Sequence, residues 1–516
     1  LRCAFIGARS TRRMFMKTLL LACAVALSGC TVGPDFQAPA VPRTQSYTRE
    51  TLPERTVESN GAAGAAQKFS LTPRPTSMWW RQFQSDALNH LVDDALRESP
   101  TLAQARAKLI EARENYTALA GATQFPGIDA TVSGARQKVD PAAFGIPHVE
   151  NPGPFSLFST SVSVSYVFDI FGGNRRALEA SMAQVDYESY ELDAARLAIA
   201  GNVVSTAVRR ASLQQQIALT QRLVDAQAHQ LSIMETRLAA GGVSQLDVRS
   251  QRTLLAQTRA SLPPLATQLA AADHQLAILL GRAPSEADFD TLTFDALHLP
   301  VDIPVALPST LARARPDIQA SEALLHQASA NVGVATANLY PQFVLSAGIG
   351  SERTRISDIV NGLNVWNIGL NLTQPIFHGG ELHAKKRAAQ AVYDAAFASY
   401  RQTVLEALQQ VADSLTAMQN DARELQARTE AAQEAEASLG VAAQQYAVGG
   451  ISQFALLDAQ RQMLQTALDQ TRAQANRFTD TAALFQALGT QPDSQAGGSP
   501  GDPLGSPLGS PLGSNP

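Results

Sequence analysis

The chain has 516 residues, 45% of them apolar, with 41 Lys and Arg against 46 Asp and Glu. Five of the bases (Arg2, Arg9, Arg12, Arg13, Lys17) fall in the first 29 positions, which hold no acid, so 36 bases face 46 acids beyond them. An acidic balance argues against a nucleic-acid binder, which needs a basic surface. No later stretch reaches eighteen apolar residues, which argues against a helical membrane span.

Arg12, Arg13 and Lys17 precede a short apolar run, Thr18–Leu27, and then Leu27-Ser28-Gly29-Cys30. This order predicts a secretory signal over 1–29, with Met14 or Met16 as its start. The four residues ending in Cys30 resemble a bacterial lipobox, so Cys30 is expected to become a lipidated first residue. Cys3 and Cys23 leave with the signal, so neither an internal disulfide nor a thiol-rich metal site is expected. Residues 30–87, rich in Pro, Thr and Ala over 31–75, read as an extended segment tethered by that lipid.

The chain then repeats itself. "LAAGGVSQLDV" (238–248) returns as "YAVGGISQFAL" (446–456), "ATQFPGIDATVSG" (122–134) as "ANLYPQFVLSAGI" (337–349), and "DIFGG" (169–173) as "PIFHGG" (375–380). Three matches in one order, about two hundred residues apart, mark a tandem duplication and not a short solenoid unit. The first repeat spans 88–290 and the second 309–490. In each, a helix ends before a Pro, two short strands follow, a Gly-Gly opens a very long helix, and a second Gly-Gly turns the chain into a returning helix. The helices are expected near 88–122, 174–240 and 244–281, then near 309–338, 381–448 and 452–488. The repeated "SPLG" of 491–516 predicts a disordered tail.

Residues 174–240 hold no Pro, and a helix of that length spans roughly 100 Å. Val404, Val411, Met418, Leu425, Ala432, Leu439 and Tyr446 recur every seven residues, a coiled-coil pattern. In the first repeat the line through Val203, Ile217, Val224, Leu231 and Leu238 is broken by Arg210. A rod-like structural coiled coil would satisfy these helices alone.

The strands point elsewhere. Val162, Val164, Tyr166 and Phe168 alternate with Ser161, Ser163 and Ser165, and similar alternation runs through Ile128–Val132, Phe343–Ile349 and Trp366–Leu372. Each has the length of a tilted bilayer-crossing strand, and the polar faces are Ser, Thr, Asn and Gly, as suits a wet lumen. A sheet in hydrocarbon tolerates no open edge. Four strands cannot close, so other copies of the chain must supply the partners; eight strands from two copies would fill with side chains, whereas twelve from three leave a pore.

"MWWRQF" (78–83), "RPDIQASEALLHQASANVGVATANLYP" (315–341) and "GCTVGPDFQAP" (29–39) resemble the outer-membrane efflux family, the TolC-like channels, in its NodT-type lipoprotein branch. The resemblance implies a mainly α fold with a small β part. Tandem duplicated coiled-coil hairpins and four strands per chain would build a homotrimeric twelve-stranded membrane β-barrel on a periplasmic α-helical tunnel. It also implies a passive exit duct in the outer membrane, a periplasmic adaptor as partner and a proton-driven inner-membrane pump. The tips Gly241-Gly242-Val243 and Gly449-Gly450-Ile451 would face the adaptor and close the tunnel. Family members carry two carboxylates just past the second tip; here Asp458 matches the later position, Ala455 stands at the earlier, and Asp247 is the first repeat's equivalent of Ala455. Three copies of Asp458 near a threefold axis would attract cations.

No enzyme chemistry is expected. "HGGELH" (378–383) lacks a helical i, i+4 His pair and reads as a structural corner, and no phosphate loop is present. Neither catalytic residues, metal nor cofactor is expected, and the energy for transport would come from a partner. The competing reading is a lipid-anchored periplasmic coiled-coil adaptor without its own pore; such a protein would carry one hairpin beside compact β domains, not two related hairpins and four strands.

Overall fold

The computed structural model describes residues 31–42, 44–50, 52–61, 63–71, 78–140, 153–286, 288–289 and 292–489. The signal 1–29, Cys30 and the tail 491–516 lie outside them. In chain order the main elements are β1 (Lys68–Leu71), a 3-10 turn (Trp79–Phe83), α1 (Asp86–Glu98), α2 (Pro100–Gln124), β2 (Gly127–Gln137), β3 (Phe155–Phe168) and α3 (Gly173–Ala239). Next come α4 (Gln245–Ala260), α5 (Leu262–Leu279), β4 (Asp302–Val305), α6 (Pro308–Ala314), α7 (Pro316–Ala337), β5 (Gln342–Arg353), β6 (Val365–Thr373), α8 (Glu381–Ala447) and α9 (Gln453–Ala487). Both long helices run for 67 residues.

Three single helices expected from the sequence are each two. The breaks fall at Ser99, Ser261 and Arg315, each followed within three residues by Pro. Ser99 and Arg315 are extended (ψ 124 and 126), as a residue directly before Pro is pushed to be. Ser261 stays in the helical region, and Pro263 and Pro264 start the next helix, where their missing N–H is harmless.

The chain divides into two compact units, and each draws on both halves of the sequence. One gathers Lys108–Ser189 and Ala320–Arg401 with the described residues up to Pro39; the other holds Ala40–Ala107, Tyr190–Gln319 and the described residues from Gln402.

The first unit contains the four expected strands as one antiparallel sheet, ordered β2-β3-β5-β6. The register carries each strand's apolar face onto the same side. Ile128 lies opposite Val164, Val164 opposite Ala347, and Ala347 opposite Ile368. The next row is Ala130, Val162, Ile349 and Trp366. Between these rows Asp129, Ser163, Gly348 and Asn367 share the opposite face. A slip of one residue would mix the two faces along the whole sheet. Trp366 and Ile368 are 76% and 69% exposed, so the apolar face meets no protein of its own chain there. The outer edges of β2 and β6 have no strand partner among the described residues.

Beside the sheet, Thr31–Phe36 docks where β3 turns into α3. Val32 N–H donates to the Phe171 carbonyl at 3.1 Å. Gly33 has φ +97, and a Cβ there would stand 2.5 Å from the Gly333 Cα, so this position requires Gly; a Cβ on Gly333 would instead meet Arg176 Cγ at 2.7 Å. Buried Arg176 donates to Asp35 at 2.6 Å and to Glu179 at 2.7 Å, and Phe36 stacks on His326 with 4.4 Å between ring centres. Asp169 accepts from the N–H groups of Asn174 (3.0 Å) and Arg175 (2.8 Å), capping the start of α3.

In the second unit the "MWWRQF" stretch becomes a buried 3-10 turn. Trp79 stacks on Phe485 at 5.5 Å, and Phe83 and Phe294 close around Phe478. Two strands that the sequence did not announce, β1 and β4, pair in parallel with Phe69 opposite Ile303. Arg477 of α9, only 1% exposed, holds the segment leading into β1 by donating to the carbonyls of Ala63 (2.5 Å) and Ala65 (3.1 Å) and to Gln67 Oε1 (3.1 Å). The heptad line is buried at Val404, Val411, Met418 and Leu425 but only half-buried at Leu439 and Tyr446, toward the tip. Arg210, which interrupts the first repeat's line, is also buried; its Nε donates to Asp273 Oδ1 of α5 at 2.6 Å. A charged residue is tolerated at that core position because its partner comes from the neighbouring helix.

Candidate functional site

The tips are built twice by the same local chemistry. After α3, Gly241 (φ +74) donates to the Leu238 carbonyl at 2.9 Å and Gly242 to that of Arg237 at 2.7 Å. After α8, Gly449 (φ +76) donates to Tyr446 at 3.1 Å and Gly450 to Gln445 at 2.8 Å. These bonds satisfy the last carbonyls of each helix, and the left-handed backbone at Gly241 and Gly449 carries no Cβ penalty. Val243 and Ile451 are half-buried just past the turns.

Ser244 and Ser452 then cap the returning helices. Ser244 Oγ accepts from Asp247 N–H at 3.2 Å, while Asp247 Oδ2 accepts from Ser244 N–H (3.1 Å) and from Ser244 Oγ (2.7 Å). This is a full capping box. Ser452 Oγ accepts from Ala455 N–H at 3.3 Å, but Ala455 has no carboxylate to return the bond. Asp247 is therefore committed to its own helix start. Asp458 sits two helical turns into the return, exposed, and pairs with Arg461 one turn further on. No hydrogen bond or ion pair joins Asp247 to Asp458 among the described residues.

Between α4 and α9, just past the tips, lies a cleft of about 350 Å³ lined by Leu246, Arg249 and Thr253 on one side and by Phe454, Asp458 and Arg461 on the other. Leu246 and Phe454, equivalent positions of the two repeats, are 73% and 76% exposed. Behind them Gln453 donates to Gln251 Oε1 at 3.1 Å, and Gln251 donates to the Gln227 carbonyl at 3.1 Å, which ties the first turns of α4 and α9 together. The sequence reading missed Arg249, Leu246 and Phe454. For Leu246 and Phe454 the signal was available in the tandem alignment, where an apolar residue recurs at the second helical position; Arg249 has no such counterpart, since Leu457 stands at the equivalent place.

The profile of the family described as "Outer membrane efflux protein" matches residues 91–282 and 307–490. The chain belongs to the outer membrane efflux protein family. It is 30% identical over 418 residues to the pyoverdine export outer membrane protein OpmQ of Pseudomonas putida, covering 80% of this chain and 88% of that one. It is 30% identical over 440 residues to nodulation protein T of Rhizobium leguminosarum bv. viciae, covering 85% and 86%. Its fold superposes with a TM-score of 0.78 on the outer-membrane channel OprN at 29% identity, covering 89% of this chain and 99% of the other. The efflux protein works in the outer membrane as a channel for small molecules, and its helical part reaches the periplasm. No helix among the described residues is long and apolar enough to cross a membrane.

Further along the same arms of the efflux protein, Asp421 of α8 faces Asp480 of α9. Burial, the hydrogen bond to Asp480 and the charges of Asp480 and Glu424 push the Asp421 carboxyl up to about 8, against the pull of Arg477. Its Oδ2 is buried without a partner. "HGGELH" is a helix start: Glu381 opens α8 and accepts from Lys385 Nζ at 2.6 Å.

Proposed function

We propose that this efflux protein is the exit duct of a three-part pump, assembled as a homotrimer that closes a twelve-stranded barrel. One observation carries the reading: a four-stranded sheet whose apolar residues share one exposed face and whose two outer edges are open. Hydrocarbon offers such edges no partner, so copies must supply it. Solute is delivered by an inner-membrane pump through a periplasmic adaptor that meets the tips Gly241-Gly242-Val243 and Gly449-Gly450-Ile451. The duct itself does no chemistry and holds no cofactor. Cys30 adds a lipid as a second anchor, and the docked Thr31–Phe36 keeps that end beside the sheet.

Cys30→Ser, given a signal that is cleaved without lipidation, is expected to lose labelled palmitate. It should still yield a heat-resistant trimer from detergent-extracted outer membranes that conducts in planar bilayers. Release of the wild type by lipoprotein lipase alone would instead favour the adaptor reading, and loss of all trimer in Cys30→Ser would make the lipid the primary anchor.

Asp458 is proposed as the gate residue, because Asp247 is spent on its capping box. Removing Asp458 also frees Arg461, so Asp458→Ala should raise single-channel conductance and shift selectivity away from cations. Ala455→Asp, which restores the paired carboxylates, should deepen block by multivalent cations. Should Asp247→Ala open the channel while Asp458→Ala conducts as wild type, the roles are the reverse.

A further inference from the structure

We propose that the tip constriction of this duct selects for anions, with Arg249 as the residue that sets the preference. The inference rests on the reading that the tips are the narrow end of the duct.

The charges at the tips can be accounted for one by one. From Glu235 to Arg252 and from Gly449 to Arg461 they are Glu235, Arg237, Asp247, Arg249, Arg252, Asp458 and Arg461. Two ion pairs form among them: Arg252 with Glu235 at 2.6 Å, and Arg461 with Asp458. Asp247 is held by the N–H and hydroxyl of Ser244. Arg237 and Arg249 have no side-chain partner among the described residues, and both are exposed. The carboxylate that would have balanced the second repeat is absent, since Ala455 stands where the first repeat has Asp247.

Arg249 lines the cleft that Asp458 and Arg461 line from the other side. Two guanidinium groups therefore share a pocket with a single carboxylate, and that carboxylate is already paired. The starts of α4 and α9 add the positive ends of two helix dipoles beside the same space. The nearest acids on α8 are Glu434 and Glu436. Neither of them lines the cleft. Each further copy in a closed ring repeats the surplus, and a narrow, partly apolar mouth rimmed by Leu246 and Phe454 strengthens it by limiting water. The solutes this mouth favours are small anions, carboxylates among them.

The test is the reversal potential of the purified trimer in planar bilayers under a tenfold KCl gradient, with citrate then added from the tip side. The wild type is expected to pass chloride in preference to potassium, and citrate to block it. Arg249→Gln should lower the chloride-to-potassium permeability ratio several-fold and weaken the block, and Arg249→Glu should invert the ratio. Arg249 is exposed and its side chain has no partner among the described residues, so the trimer should assemble in both variants. A cation-selective wild type, or an unchanged ratio in Arg249→Glu, overturns the proposal. If Asp458→Ala changes conductance while Arg249→Glu leaves the ratio alone, the tips remain the gate and only the anion preference falls. If neither variant changes anything, the tips are not the narrow end, and both readings fall.

Discussion

Ile368→Arg should abolish outer-membrane assembly, while Asn371→Arg, three residues along the same strand, should insert and form trimers. The two side chains belong to opposite faces of β6. Ile368 closes the apolar row that begins at Ile128, and Asn371 lies opposite Val344 on the face that carries Gly348 and Asn367. An arginine at the lipid-facing middle of a barrel strand costs ~2–4 kcal/mol per copy, whereas a lumen position tolerates it and changes conductance. The comparison is read as heat-resistant trimer in membrane extracts. Wild-type amounts of trimer from Ile368→Arg would mean that this face does not meet lipid, and the barrel reading would go with it.

The thermal stability of the helical arms should fall as pH rises from about 4 to 9, and Asp421→Asn should remove most of that slope. In the folded protein the Asp421 carboxyl keeps its proton up to about pH 8. In the unfolded chain an Asp releases it near its ordinary value of about 4. Between those values the folded state binds more protons, so stability declines with increasing pH and the full cost is present above the folded value. The cost is physical repulsion: once Asp421 ionises, it faces Asp480 and Glu424 with Arg477 as the opposing charge. Asparagine keeps the shape and cannot ionise. Circular dichroism melts in detergent should show the variant surviving to higher temperature than wild type at about pH 9, and matching it at about pH 5. Equal slopes for both proteins would show that the proton is not held there.

Much of this architecture is local and was legible. Alternation of Val162, Val164, Tyr166 and Phe168 with serines forms a strand because successive side chains point to opposite faces. Gly241-Gly242 and Gly449-Gly450 end helices because only glycine takes the left-handed turn freely, and Ser244 and Ser452 start helices because their hydroxyls accept the first free N–H groups. The breaks at Ser99 and Arg315 were equally local, since a residue before Pro avoids the helical region; strong periodicity on either side hid them.

The sequence by itself determined the duplication, the four amphipathic strands and the two tips. The strands and tips follow from periodicity or from a residue acting on its neighbours within one turn, and the duplication from three matches in one order about two hundred residues apart. Only the tertiary structure decided that Arg210 is a core residue, because Asp273 lies 63 positions away in sequence. Only it joined β1 to β4, whose four-residue lengths carry no periodic signal, and buried Arg477 under a segment more than 400 positions earlier. It alone set the charge of the tip cleft. Asp247, Arg249, Asp458 and Arg461 are plain in the sequence, but which charge is left over depends on which pairs form, and pairing is a property of positions in space.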